Sequence, residues 1–150
     1  MQLAPAPLPA LVDEADMAVH GLVLTATTTP VPDRPHQLRT HHLIMVWEHL
    51  KPTLAAPVHH RSTPVFIEVV QPGGVLDGLA TVVPGVAALR PGDEVVLLLG
   101  TTPWGLQPIG YRMGTFFVAP DGRVRPAWSG HMPLSPASSF SMDVLRGVLP

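Results

Sequence analysis

Residues 65–100, VFIEVVQPGGVLDGLATVVPGVAALRPGDEVVLLLG, constrain the fold more than any other part of the chain. Val65, Phe66, Ile67, Val69 and Val70 at one end, and Val95 through Leu99 at the other, form apolar runs too short for free-standing helices, bounded by Pro or Gly. Such runs build strands. The second run is apolar at consecutive rather than alternate positions, which predicts a central strand at 94–99, covered on both faces. Pro91-Gly92-Asp93 is the turn that launches it. A small β-barrel or sandwich follows.

The flanking segments agree. After a short helical turn at 11–16, residues 17–28 alternate as a long strand with Met17, Val19, Gly21 and Val23 on one face. Gly21 in mid-strand implies a sharp bend or a close backbone approach. Residues 42–50 predict a strand with Leu43, Met45 and Trp47 on its core face. Further strands are expected at 65–70 and 111–118, with Pro120-Asp121-Gly122 turning into a short last one at 123–125. Prolines 30, 32 and 35 predict a surface loop at 29–35, because each removes a backbone donor. Residues 75–90 read as an ordered connection, with at most a short strand at 80–83. Ser139 or Ser141 is placed to cap a short terminal helix.

A chain of 150 residues fits one domain, assigned to 11–150 after a flexible segment at 1–10. Charged residues make up only 13% of it, and the net charge of -2 is spread without runs, so nucleic acid is excluded as an expected partner. No apolar run is long enough to span a bilayer as a helix. The absence of cysteine removes disulfides and thiolate chemistry. The Ala/Pro-rich opening resembles the loose segment that follows a cleaved secretion signal, which predicts a periplasmic or extracellular protein.

Eight histidines are the compositional hint of chemistry. His41-His42 and His59-His60 are adjacent pairs, and strand neighbours point to opposite faces, so neither pair offers two ligands to one ion. If the strands at 17–28 and 42–50 pair, His20 comes near Glu48. Met113, Met132 and Met142 read as core fillers, and Asp13, Glu14 and Asp16 as water-facing carboxylates. No nucleophile, base and orienting group stand in recognisable relation: G-x-S-x-G is missing, and Gly73-Gly74 lacks the lysine of a phosphate loop. An enzyme is therefore not expected, nor a cofactor or metal. Trp104 and Trp128 sit among prolines and glycines in expected loops, where an indole makes either a binding anchor or a lid over the barrel end.

Several of these segments carry a family resemblance. LVDEADMAVHG at 11–21, WEHLKP at 47–52, Pro72-Gly73-Gly74 with Gly78, Val83-Pro84-Gly85, RPGDEV at 90–95 and GYRMGTF at 110–116 together resemble a bacterial secreted domain family, distantly similar to the netrin-like modules of metalloprotease inhibitors. The resemblance implies an OB-like barrel. Netrin-like inhibitors hold the protease zinc through an N-terminal cysteine, which this chain lacks, so that mechanism transfers to no residue here.

The combined expectation is an all-β, five- to six-stranded OB-like barrel with short terminal helices. It would be an exported module binding a protein or small ligand through long end loops at 29–39, 51–64 and 101–110, with Trp104, Trp128, His59 and His60 as binding residues. Regulation of an extracellular hydrolase is what the resemblance adds. A histidine-based metal-binding protein is the alternative.

Overall fold

The computed structural model describes residues 8–51, 65–127 and 140–142. Helix α1 (Leu8–Glu14) leads into β1 (Met17–Val31) and β2 (Arg34–Lys51), followed by β3 (Val65–Pro72), β4 (Gly74–Leu76), β5 (Leu79–Thr81), β6 (Glu94–Thr102) and β7 (Gly105–Pro108). A 3-10 turn (Tyr111–Gly114) precedes β8 (Thr115–Val118) and β9 (Arg123–Pro126), which pairs with β10 (Phe140–Ser141). Strands β1, β2, β3, β7 and β6 pair in that order, and β6 returns to β1. The result is a closed five-stranded barrel, antiparallel except at the β3–β7 contact, which is the expected OB-like all-β fold.

β6 is the central strand its sequence predicts. It pairs with β1 along one edge and with β8 and then β7 along the other. Val95, Leu97 and Leu99 point into the barrel, where they meet Val19, Val23, Ile44, Val46, Val69 and Leu89. Val96 and Leu98 face the opposite way, into a second core with Leu11, Val12, Ala15, Leu50, Phe116 and Val124. Each such side chain contributes about 1.5–3 kcal/mol by leaving water. α1 closes the second core, held by Lys51, whose Nζ donates to the Val12 and Asp13 carbonyls at 2.7 and 3.1 Å. A cation at the carbonyl end of a helix also complements its dipole. Asp13 and Glu14 face water, while the Asp16 carboxylate accepts from the Thr101 N–H at 2.9 Å.

β1 curls through register shifts beside Ala18, His20 and Val23. A Cβ at Gly21 would stand 2.2 Å from the Met45 carbonyl oxygen, so glycine there permits the expected close approach of β2.

Five expectations change. The loop at 29–35 is instead the tip of a long hairpin, with Thr29 opposite Arg39, Pro30 opposite Leu38, and the turn at Pro32-Asp33. Pairing of β1 with β6 stops at Leu22, so the missing N–H of Pro30 costs no ladder bond on that edge. The faces of β2 are reversed: His42, Ile44 and Val46 are buried, whereas Leu43 and Trp47 are each 37% exposed. Residues 111–114 form the 3-10 turn, preceded by left-handed Gly110, and only 115–118 are strand. The end loop at 101–110 is largely the β6–β7 hairpin, and β7 is the strand that closes the barrel. Within 75–90, Asp77 and Gly78 both have positive φ, 50° and 81°, and turn β4 into β5 as a type I′ hairpin. α1 begins at Leu8, and the expected C-terminal helix lies almost wholly outside the described residues.

Candidate functional site

The inner face of β1, β2 and β3 continues past the apolar barrel core and becomes polar. Register places Ala26 opposite His42, Thr28 opposite Thr40, and Thr40 opposite Gln71. The Thr28 and Thr40 hydroxyls are 3.0 Å apart, and Thr40 donates to the Gly73 carbonyl at 2.8 Å. Gly73 and Gly74 take positive φ, and a Cβ at Gly74 would strike Thr40 Oγ1 at 2.6 Å, so these glycines let the chain fold back over the threonines. The β4–β5 hairpin is then pinned down by two bonds: the Gly73 N–H to the Leu38 carbonyl at 2.8 Å and the Leu38 N–H to Thr81 Oγ1 at 3.1 Å.

Between this hairpin, the 82–89 connection and the strands lies a cleft of about 290 Å³. Thr40, His42, Gln71 and Thr81 line it together with apolar residues that include Ala26, Val75, Val83, Val86 and Leu89; no Asp, Glu, Lys or Arg is among its lining residues. Leu89 also belongs to the barrel core, so the cleft sits directly on packed structure.

His42 and Gln71 are each only 3% exposed. Burial holds the His42 imidazole below its ordinary pKa, opposed by a hydrogen bond with the Gln71 side chain and reinforced by neighbouring His41. His42 is therefore neutral at pH 7. His42 Nδ1 and Gln71 Nε2 have no hydrogen-bond partner among the described residues. Buried polar atoms are almost always paired, and each exception calls for a reason.

The other expected site residues fall elsewhere. Trp104 occupies the β6–β7 turn, half-buried, with the Arg39 guanidinium 5.4 Å from its ring centroid. Its indole therefore packs on Arg39. Trp128, His59 and His60 lie outside the described residues. His20 stands opposite Glu48 in register, as expected, but its Nε2 meets Glu94 Oε2 at 2.7 Å and its ring packs edge-on against Trp47. His41 reaches Thr29 Oγ1 at 3.0 Å and Glu68 Oε1 at 3.3 Å. Among the described residues no three His, Asp or Glu side chains converge on a metal-sized point.

Sequence reasoning missed His42 and Gln71 as site residues. The signal was available in the alternation of β2: with Ile44 and Val46 facing inward, His42 must face inward too. Comparison with protein-family models, curated proteins and solved structures finds no match.

Proposed function

We propose that this chain is a binding module that receives a small ligand in the cleft at the barrel mouth. The observation that carries the reading is the cleft itself, in which the buried polar residues His42 and Gln71 stand among largely apolar walls. Barrel mouths are frequent ligand sites, and mostly apolar walls with a few polar groups are the usual lining of one. The recognition surface in this reading is the β4–β5 hairpin and the 82–89 connection rather than long flexible loops.

The Ala/Pro-rich opening supports a periplasmic or extracellular setting, and control of an extracellular hydrolase rests on the netrin-like resemblance alone. The histidine-metal reading finds less support: His20 and His41 each face a carboxylate, and His42 faces the cleft.

Protein-observed NMR with mixtures of small neutral fragments tests the proposal. Shifts should gather on Thr40, Gln71, Val83 and Leu89 and vanish in Ala88→Trp, which fills the cleft. Shifts that gather elsewhere, or that survive the filled cleft, would contradict it.

A further inference from the structure

We propose that the outer face of β1, β2 and β3 carries a second site, a threonine nucleophile served by a histidine and a glutamate, which takes the acyl group from small uncharged esters. It lies across the same strands from the cleft and does not rest on the reading of that cleft. Side chains alternate along a strand. Thr28, Thr40 and His42 face inward, so Thr29 and His41 face outward, as does Glu68 beside the inward Val69. Thr27 and Val70 are the register partners of His41, and Thr29 and Glu68 stand diagonal to it, so the three residues form one row across three strands.

His41 holds the middle of the row with both ring nitrogens engaged: Nδ1 is 3.3 Å from Glu68 Oε1, and Nε2 is 3.0 Å from Thr29 Oγ1. A carboxylate only accepts, so Nδ1 carries the hydrogen, Nε2 keeps its lone pair, and the Thr29 hydroxyl donates to it. Nucleophile, base and orienting carboxylate thus stand in sequence, at separations common before a substrate binds. The row is open to an incoming molecule, with the side chains of His41 and Glu68 24% and 62% exposed. Arg39 stands opposite Thr29 in register and shares its face, its guanidinium resting against Trp104. It brings a cation beside the carbon where an acyl oxygen would become negative.

The chemistry closes without any further reagent but water. Thr29 Oγ adds to the ester carbonyl while its proton passes to His41 Nε2, and the carbonyl pair becomes an oxyanion. Collapse re-forms the C=O and breaks the bond to the alcohol oxygen, which leaves with the proton from His41. Water then adds to acyl-Thr29 with the same nitrogen taking its proton, and that proton returns to Thr29 Oγ as the acid departs. The threonine methyl crowds the attacking oxygen and favours short acyl chains. Leu43, the next outward residue of β2, is 37% exposed and offers an apolar seat for the alcohol half.

The test treats the full chain with p-nitrophenyl acetate at pH 7.5 and maps the acetyl group by peptide mass spectrometry. Wild type should carry it on Thr29 and not on Thr25 or Thr27, which are exposed on the same strand. Labelling of Thr29 should fall about a hundredfold in His41→Gln, the lower end of what a positioned base contributes. Glu68→Gln, at a mostly exposed position, keeps the test open if His41→Gln misfolds. It should lower labelling at least about tenfold and turn the nitrogen NMR signals of the His41 ring from one tautomer into a mixture, which a merely structural carboxylate would not do. Acetylation that leaves Thr29 unmarked in wild type, or a Thr29 label equally strong in His41→Gln or Glu68→Gln, overturns the proposal.

Discussion

The inner face of a single sheet does two different things in this molecule. Around Val19, Ile44, Val69 and Leu97 it is filled by apolar side chains from four strands. One alternation further along β2 the same face carries His42 and Thr40, opposite Gln71 on β3, and the space above them is a cleft. Both regions are buried, and burial alone does not distinguish them. Satisfaction does: the first region leaves no polar atom to account for, whereas the second holds two that the described residues do not pair. The filled end supplies stability, and the mouth gives some of it up.

The comparison breaks most severely at the filled end. Leu98→Asp places an unpaired charge in the second core beside Val96 and Phe116, and the chain should fail to fold, a loss above about 4 kcal/mol. Circular dichroism and urea titration read this directly, and a native-like transition would mean that β6 is less enclosed than its neighbours indicate.

A smaller effect belongs to the mouth. The folded pKa of His42 lies below the unfolded value of 6.5, so below about pH 6.5 the unfolded chain binds the extra proton and the folded chain resists it. Stability contributed by neutral His42 is therefore complete above that pH and lost as pH falls. Urea midpoints at pH 7.5 and 5.5 should show wild type losing more stability on acidification than a variant lacking His42. Equal losses would mean that burial does not hold the ring neutral.

The smallest effect is expected at Trp104. Removing its contact with Arg39 by Trp104→Ala should cost about 1 kcal/mol and leave fragment binding at the cleft unchanged. A large loss of cleft binding would show that the β6–β7 turn belongs to the site.

How legible each region was follows from its physics. β6 announced itself because five consecutive apolar residues have only one comfortable place, between two cores. β7 was invisible: Gly105-Leu106-Gln107-Pro108 is too short for a period and begins and ends in residues that read as loop. It becomes a strand because β6 and β3 offer it open edges, a tertiary cause. The faces of β2 were misread because large apolar residues occupy both, Leu43, Met45 and Trp47 against Ile44 and Val46, and only the register with Val23 and Ile67 decides between them. His42 was hidden by the same ambiguity. Gln71 carried no local signal, since its importance arises from a partner 29 positions away in sequence and from a hairpin folded over both. The Asp77-Gly78 turn that makes that hairpin was passed over, because the mostly apolar residues around it read as a connection, although the dipeptide suits the two positive φ angles found there.

The claim that His42 and Gln71 are kept for binding rather than for stability is tested most directly by replacing both at once. Removing both partners of a buried polar pair in favour of apolar residues of similar size is neutral or stabilising, unlike removal of one. The double variant His42→Leu/Gln71→Met, followed by urea denaturation at pH 7.5, should unfold at the same urea midpoint as wild type or a higher one, with an unchanged slope. A fall in stability of about 2 kcal/mol or more would show that the pair holds the barrel mouth together, and the account of the cleft as a ligand site would lose its foundation.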